Sequence, residues 1–296
     1  MMQLDELRAL LARHARPDFS TAIDGVLISS VDRALPPSPS MSGTVLAVIA
    51  QGAKRLALGD RVYEYRAGQY LVASVDLPVT GHFTEASREH PALGFGLTLR
   101  PDAVAELLLS AEPGAASPAA APPGIAVSDA PAELLDAVIR LLRLLDQPRD
   151  RAVLAPMVIR EILWRLITGE QGDVVRQLGV ADSSLRHVAR AVRWIRDNYA
   201  QPFRVEDVAR LAGMSVSAFH RNFQAVTAMS PIQFQKQIRL QEARLLLATR
   251  PTDIAGVGLR VGYDSPSQFS REYRRQFGAP PSEDAARLRP AVAALP

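Results

Sequence analysis

Residues 207–231 read DVARLAGMSVSAFHRNFQAVTAMSP, and residues 257–281 read VGLRVGYDSPSQFSREYRRQFGAPP. The two segments match each other at an offset of 50 residues. Their identical pairs are Arg210 and Arg260, Ser215 and Ser265, Ser217 and Ser267, Phe219 and Phe269, Arg221 and Arg271, and Pro231 and Pro281. An internal repeat indicates that one supersecondary unit is used twice, so these two segments decide the predicted fold.

Each copy is predicted to form two short helices around a tight turn. In the first copy, an apolar stripe at helical spacing ends at Gly213, where a sharp chain reversal favours a residue without a Cβ atom. Ser215 is placed to cap the next helix. That helix, over about residues 216–226, puts Phe219 and Phe223 on one face and polar or basic residues on the others.

The second copy repeats this plan. Gly262 interrupts its first apolar stripe, Ser265 can cap the following helix, and Pro266 suits a first helical turn. The aromatic residues at positions 269, 273 and 277 are spaced for one face opposite the arginines, which favours core packing over base stacking. A helix, a turn and a basic helix form the arrangement that inserts its second helix into the DNA major groove.

These residues resemble a known family, the AraC/XylS-type transcription regulators, whose DNA-binding domain carries two helix-turn-helix units. Residues 207–247 look like the first unit with its linker helix, and residues 261–283 are similar to the signature of the second unit. The resemblance covers about residues 184–289. It implies a partner, double-stranded operator DNA, and contact with RNA polymerase.

The resemblance also implies which side chains face DNA bases. By position in the matched motif these are Ser217, His220 and Arg221 in the first unit, and Ser267, Ser270 and Arg271 in the second. We rank Arg221 and Arg271 first, because the paired donors of arginine reach O6 and N7 of guanine. The residues predicted to contact phosphates are Arg274, Arg275, Gln224, Lys236 and Arg239. For each of these residues, a solvated helix face is the alternative.

A linker helix is predicted between the two copies, from about Pro231 to Ala248, with Ser230 before the proline as its start signal. Its 18 residues span roughly 27 Å at about 1.5 Å per residue. This length is close to the roughly 34 Å between successive major-groove segments on one side of DNA. The linker is therefore long enough to hold both basic helices on one face of a duplex.

Charge is unevenly distributed along the chain. From Ser184 onward there are 17 Lys plus Arg against 9 Asp plus Glu, a net charge of +8, whereas the preceding residues have 17 against 22, a net charge of −5. The excess of basic residues favours a phosphate-binding surface in the C-terminal part, although a solvated charged face has the same composition. The chain has no cysteine, which excludes disulfides and thiolate chemistry.

Short β-type segments dominate the first hundred residues. They lie near residues 19–31, 44–50, 53–58, 61–65, 69–75, 79–84 and 92–99, separated by Gly, Pro and Asp turns. Gly59 and Asp60 sit between two alternating runs and predict a hairpin. Closely spaced strands of this kind predict a small antiparallel barrel or sandwich.

This segment resembles the cupin-like N-terminal domain that many AraC-type regulators carry. The resemblance implies a small-molecule effector inside the barrel, of unknown identity, while an interior filled by side chains is equally allowed. Tyr63, Tyr65, Tyr70 and His82 lie on predicted strands and are candidates for lining a cavity. Which of them point inward depends on the strand register.

Helices and connections are predicted around the strands. A short amphipathic helix covers residues 3–15, and residues 113–131 are predicted to be an irregular connection that follows the last strand. Helices over about residues 131–168 carry a broad apolar surface, which either packs on the barrel or pairs two subunits in a homodimer. Residues 169–183 are predicted to be the junction between domains, and residues 184–199 another amphipathic helix.

The sequence thus predicts an α+β protein of two domains. Residues 1–175 form an N-terminal antiparallel β-barrel or sandwich with flanking helices, for effector binding or dimerisation. Residues 184–289 form an all-α DNA-binding domain, with helix-turn-helix units at about 204–226 and 252–277 joined by the linker helix. The protein is expected in the cytoplasm, associated with the nucleoid, because no export signal or apolar run of membrane-spanning length is found.

Enzyme activity is not expected, since no Gly-rich phosphate loop, G-x-S-x-G or H-E-x-x-H motif occurs. His82, Glu85, Glu89 and His90 cluster in sequence, so a cupin-type metalloenzyme is an alternative, but the close His-x-His pair of cupin enzymes is missing. No cofactor or metal is therefore expected. A second alternative is a regulator whose N-terminal domain binds nothing small and serves only dimerisation.

Overall fold

The structure is a computed structural model, and it describes residues 2–110, 121–180, 182–249 and 252–292 of the chain, without the side chains of residues 289–292. The described residues divide into two compact units. The first unit contains the residues up to Ala189 together with Arg221–Ala228. The second contains Arg190–His220 together with the residues from Met229 onward.

Two antiparallel sheets form the centre of the first unit. The strands are Val26–Val31 (β1), Ser38–Met41 (β2), Val45–Gln51 (β3), Ala53–Leu58 (β4), Arg61–Arg66 (β5), Gln69–Ala73 (β6), Pro78–Glu85 (β7), Ala92–Thr98 (β8) and Ile125–Asp129 (β9). One sheet has the strand order β1-β8-β3-β6-β9, and the other has the order β2-β7-β4-β5. The predicted antiparallel β-domain is confirmed.

Strand register follows the alternation of apolar residues. Leu46 lies opposite Leu97, and Val48 lies opposite Phe95, so that the β3–β8 pair directs large apolar side chains to one face. All four side chains are at most 2% exposed. β4 and β5 form the predicted hairpin, in which Leu58 pairs with Arg61. Burial of such alternating faces is the main contribution to the stability of the sandwich.

Two strands were not expected from the sequence. β2 has the sequence SPSM, which lacks β-branched and aromatic residues, yet it pairs with β7. β9 lies within residues 113–131, so the prediction of an irregular connection there is wrong for its second half. β9 forms because it hydrogen-bonds to β6 and buries Ile125, and neither interaction is visible in local composition. Residues 113–120 of that connection lie outside the described residues.

Helices flank the sheets of the first unit. They are Met2–His14 (α1), Pro101–Ser110 (α2), Ala132–Arg143 (α3), Pro148–Thr168 (α4) and Gly172–Gly179 (α5). α1, α3 and α4 are predicted from apolar periodicity, whereas α2 is not. The residues predicted to form the junction between domains, 169–183, contain a helix that was not expected, since α5 buries Val174, Val175 and Leu178 despite its glycines. Residue 181 of the predicted junction is outside the described residues.

The remaining helices are Ser184–Asp197 (α6), Val205–Leu211 (α7), Val216–Thr227 (α8), Pro231–Thr249 (α9), Ile254–Arg260 (α10), Pro266–Phe277 (α11) and Pro281–Val292 (α12). α6 and α8 each contribute residues to both compact units. The two predicted helix-turn-helix repeats correspond to α7–α8 and α10–α11, and the linker helix corresponds to α9. The α+β fold class is confirmed. No helix in the described part of the chain combines the length and apolar character that a membrane span needs.

Candidate nucleic-acid interface

The turn of the second repeat depends on Gly262. Its φ of +90° lies in the left-handed region, which residues with a Cβ atom rarely adopt. A Cβ atom at this position would also collide with the carbonyl oxygen of Ala200. After the turn, the Ser265 side chain accepts a hydrogen bond from the Gln268 amide at 3.3 Å and caps α11, and Pro266 occupies the first turn. The predicted turn and cap are confirmed.

An aromatic row on α11 anchors the helix. Phe269 and Tyr273 are fully buried, with ring centroids 5.6 Å apart, and Phe277 follows at 4.6 Å from Tyr273. These rings pack in a core with apolar residues of α9 and α10, among them Leu247 and Val257. Such burial is typical of structural aromatic residues. It fixes which face of α11 remains exposed.

The opposite side of α11 is polar and basic. Ser267, Arg271, Arg274 and Arg275 are exposed and Ser270 is partly exposed, so all five predicted DNA-binding residues of this repeat lie on one half of the helix. In the described ranges, the side chains of the three arginines make no hydrogen bond or ion pair. Gln268, Arg271, Glu272 and Arg275 line a shallow cavity of about 300 Å³. The exposed side of α11 therefore presents three guanidinium groups without a partner in the described ranges.

Glu272 is the acidic residue inside this basic helix. Its carboxylate accepts hydrogen bonds from Lys236 Nζ at 2.9 Å, from Tyr263 Oη at 2.8 Å and from Gln268 Nε2 at 3.3 Å. Burial pushes the pKa of Glu272 upward, but these hydrogen bonds outweigh burial and hold the pKa below its usual range. Glu272 thus fastens α11 to α9, a role that the sequence pattern did not indicate.

Cations on α9 hold the second unit together. Arg239 donates to the carbonyl oxygens of Tyr199 at 2.6 Å, Gly262 at 2.6 Å and Ala200 at 3.2 Å. Lys236 is engaged with Glu272. The predicted phosphate contacts of Lys236 and Arg239 stay predictions, and both side chains already donate to acceptors within the protein. Apolar periodicity does not report such long-range partners.

The first repeat has the same local design. Gly213 takes a φ of +75°, and the Ala218 amide donates to Ser215 Oγ at 3.3 Å, so the predicted turn and cap are confirmed. Phe219 and Phe223 are fully buried. The predicted DNA-binding residues of α8 are Ser217, His220, Arg221 and Gln224, and all four are exposed. Their spacing places them on one side of α8, away from the buried rings.

The first unit contains a partly buried cation that was not predicted. Lys54 lies on the face of its sheet that packs inside the sandwich, and Tyr65 and Phe83 are its cross-strand neighbours. Its Nζ lies 5.1 Å from the centroid of the Phe83 ring. Burial lowers the pKa of Lys54. The alternation of Lys54, Leu56 and Leu58 was a signal in the sequence, because it places a lysine on an apolar face.

The other candidates from the sequence lie on three different strands of the first unit. Tyr65 and Tyr70 are 2% exposed and belong to different sheets, and His82 lies opposite Arg55 on β4. In the part of the chain that the structure describes, no group of three or more His, Cys, Asp or Glu residues could hold a metal ion. His82, Glu85 and His90 therefore do not form such a group.

Two family models match the chain. Residues 22–174 match the model of the AraC-type transcriptional regulator N-terminus, which is slightly more than half of the chain. Residues 208–287 match the model of a helix-turn-helix domain. The second match contains α8, α9, α10 and α11, and so includes every predicted DNA-binding residue.

Curated relatives are regulators of transcription. The chain is 30% identical over 164 residues to the HTH-type transcriptional regulator ExsA of Pseudomonas aeruginosa, covering 54% of this chain and 57% of ExsA. It is 28% identical over 155 residues to the thermoregulatory protein LcrF of Yersinia pestis, covering 51% of this chain and 55% of LcrF. The chain thus spans a little more than half the length of these relatives.

Solved structures share the fold over most of the chain. The crystal structure of an apo ToxT variant from Vibrio cholerae has a TM-score of 0.53 and 10% sequence identity, and covers 91% of this chain and 100% of that one. A ToxT structure with a bound unsaturated fatty acid gives the same TM-score, with 88% of this chain covered and 94% of that one. At such low identity the likeness concerns the fold.

Proposed function

Because the chain belongs to the family of AraC-type transcriptional regulators, we propose that it reads a specific operator in double-stranded DNA with both helix-turn-helix repeats. The observation that carries this proposal is the exposed face of α11. It presents Arg271, Arg274 and Arg275, whose side chains have no partner in the described ranges, opposite the buried rings of Phe269 and Tyr273. A capped helix held in this way can enter a major groove without rearranging its core.

Base readout is assigned to the residues nearest the start of each second helix. Arg221 and Arg271 take guanine O6 and N7 through paired donors, and each good pair supplies about 1–3 kcal/mol of discrimination. The serines and His220 approach neighbouring bases, namely Ser217 on α8 and Ser267 and Ser270 on α11. Gln224, Arg274 and Arg275 contact phosphates and fix the register of the protein on the duplex.

Each of the two predicted domains has its own function in this proposal. Residues 184–289 bind DNA, and residues 1–175 carry the regulatory function, sensing a small molecule, forming a homodimer, or both. Effector occupancy changes the population of the DNA-binding arrangement. A fatty-acid-bound structure of ToxT, which shares the fold, supports a small-molecule effector for this family member. RNA polymerase is the expected partner at the promoter, and the nucleoid is the expected location.

One observation favours a homodimer. α4 exposes large apolar side chains, with Val153 at 67% and Trp164 at 39% exposure. Isologous pairing of this helix in a second copy would cover them. A regulator whose N-terminal domain serves only dimerisation is therefore the second candidate. The relatives are transcription regulators rather than enzymes, so the metalloenzyme alternative loses its support.

Selection from random duplex DNA tests the proposed function. The full-length protein is incubated with a random library, bound duplexes are recovered over several rounds, and their sequences are determined. We expect two short motifs whose centres lie about one helical turn, roughly 10 base pairs, apart. The Arg271→Ala variant should lose information in one motif and Arg221→Ala in the other. Enrichment of no motif, with retention of DNA irrespective of sequence, would contradict sequence-specific regulation.

A further inference from the structure

The first unit has a groove on the outside of the sandwich. It has a volume of about 930 Å³ and lies between the loop before β1, the end of β8, α2 and α4. Its floor is apolar: Ile23, Leu97, Ala155 and Leu163 are each at most 5% exposed. Ligand pockets of about 300–1,000 Å³ accept drug-sized organic molecules, so the groove has the size of a binding site.

The rim of the groove carries three arginines and three acidic residues, and most of these charges are neutralised. Arg100 pairs with Asp102 at 2.6 Å, and Arg160 pairs with Glu106 at 2.6 Å. Asp24, the third acid, acts on the same Arg100 and helps to raise its pKa, after the larger effects of Asp102. The formal charges of the rim therefore balance, and Arg151 is the rim arginine that has no ion-pair partner among the described residues.

Arg151 lies in the first turn of α4, is partly buried, and lines the groove. Its guanidinium makes no hydrogen bond or ion pair with any residue of the described ranges. The N-terminus of α4 is the positive end of the helix dipole, and Asp150 is an acidic residue in the same first turn. Gln147 at the N-cap makes no side-chain capping bond. The guanidinium of Arg151 is therefore the rim group that is open to a ligand anion.

We propose that this groove binds a small organic carboxylate, with the carboxylate on Arg151 and the apolar body on the floor formed by Ile23, Leu97, Ala155 and Leu163. The guanidinium of Arg151 has no ion pair among the described residues, and an arginine can hold a carboxylate through two parallel hydrogen bonds. The apolar floor selects a hydrocarbon or aromatic body over a sugar. This inference rests on the proposed function only in making the carboxylate an effector of DNA binding.

Lys54 is the competing site for such a ligand. It is the partly buried cation inside the sandwich, whereas Arg151 lies outside it on α4. Lys54 faces two aromatic rings and no acid in the described ranges, so a carboxylate anchored there would be sensitive to Lys54→Met. The groove is favoured because Arg151 combines, within the described residues, an arginine that has no ion pair with a cavity of about 930 Å³ and an apolar floor.

Binding is measured by isothermal titration calorimetry of the full-length protein with phenylbutyrate and with its neutral amide, phenylbutyramide. Arg151→Gln removes the charge, and Arg149→Gln is the matched control, an exposed arginine in the same turn that does not line the groove. Ala152→Phe fills the groove from an exposed position, and Leu154→Phe is its control outside the groove. Lys54→Met tests the competing site.

The expected result is that the wild type binds phenylbutyrate at least about tenfold more tightly than the amide, and that Arg151→Gln removes this preference. Ala152→Phe should abolish binding, and both controls and Lys54→Met should bind as the wild type does. Absence of binding to the wild type, equal affinity for the amide, or loss of binding in Lys54→Met alone would overturn the proposal.

A gel shift with the selected duplex separates this inference from the proposed function. We expect saturating phenylbutyrate to change the affinity of the wild type for that duplex, and not that of Arg151→Gln. Ligand binding by Arg151 without any effect on DNA affinity would overturn the effector role. Failure of the unliganded and liganded protein to select any DNA motif would contradict the proposed function, while the calorimetric result for the groove would stand.

Discussion

α9 and α11 are neighbouring basic helices, yet only the cations of α9 have partners within the described residues of the protein. On α9, Lys236, Arg239 and Arg244 bind carboxylates or backbone carbonyls of the second unit. On α11, Arg271, Arg274 and Arg275 have no such partner within the described residues and point to the surface. The net positive charge of this region therefore has two components. One holds the fold together, and the other is available to DNA.

The difference follows from burial. A buried carbonyl or carboxylate that loses its donor costs the desolvation penalty of that group, so a cation that satisfies it cannot be released to a phosphate at low cost. An exposed arginine satisfies its donors with water and exchanges them for phosphate or base acceptors. Substitutions on α9 should consequently change stability, and substitutions on α11 should change DNA binding.

The largest effect is expected for Arg239→Ala. Three backbone carbonyls, of Tyr199, Ala200 and Gly262, would lose their donor, and we expect a loss of about 3 kcal/mol in the free energy of unfolding. Urea denaturation of the full-length protein, followed by circular dichroism, measures it. Arg274→Ala is the control on α11 and should stay within about 0.5 kcal/mol of the wild type. Equal losses in the two variants would remove the distinction between the helices.

Arg244→Ala should have the next largest effect. Asp284 is 5% exposed and accepts from Arg244 Nε at 2.8 Å and from Tyr273 Oη at 2.8 Å, so the substitution leaves a buried carboxylate with one donor. We expect a loss of about 2 kcal/mol, measured by the same denaturation. The exposed Arg287 pairs with Glu283 on α12, and Arg287→Ala should be nearly neutral. A neutral Arg244→Ala would contradict a structural role for this cation.

Glu272 predicts a dependence of stability on pH. Its pKa is depressed in the folded protein, so it stabilises the fold above the usual glutamate pKa of about 4.3 and loses that contribution as the pH falls through its lower folded value. We expect Glu272→Gln to lose about 1 kcal/mol at neutral pH and to flatten the decline of stability between about pH 5 and pH 3. Thermal melts over this range measure the slope, with the exposed Glu283→Gln as control. An unchanged slope would show that Glu272 is not coupled to folding.

The smallest effect is expected for Arg275→Ala. Loss of one phosphate contact should weaken binding to all duplexes alike and reduce the slope of log affinity against log salt by about one. Fluorescence anisotropy with a selected and a scrambled duplex at several salt concentrations gives this slope. Lys236→Met should leave it unchanged, since Lys236 is occupied by Glu272. A reduced slope in Lys236→Met would show that Lys236 contacts a phosphate despite its ion pair with Glu272.

Local sequence was sufficient to predict α8 and α11, the second helices of the two repeats. The structure confirms both copies of the repeat, with the glycines at 213 and 262, the capping serines and the buried aromatic residues. Within each copy, these features depend on residues a few positions apart. Their physics is that of helix periodicity, caps and left-handed turns. The DNA-binding residues Arg221 and Arg271 were named from these patterns together with a family resemblance, and they stay predictions.

Long-range partners were not predictable in the same way. Arg239 meets carbonyl oxygens 40 and 23 residues away in sequence, and nothing in the pattern of α9 distinguishes it from a surface arginine. β9 and α5 form because tertiary pairing and burial outweigh a weak local preference. The groove beside Arg151 likewise joins segments that are far apart in the chain, such as Ile23 and Leu163.

The double variant Arg221→Ala/Arg271→Ala tests whether the two exposed arginines read the operator. The quantity to measure is its specificity ratio. Affinity for the selected duplex is divided by affinity for a scrambled duplex of equal length and salt, and circular dichroism and the melting temperature are recorded on the same sample. Because each arginine contributes about 1–3 kcal/mol of discrimination, the ratio should collapse towards one while the fold and its stability are retained. A ratio equal to that of the wild type, in a protein that is still folded, would contradict the claim that these exposed arginines read the operator.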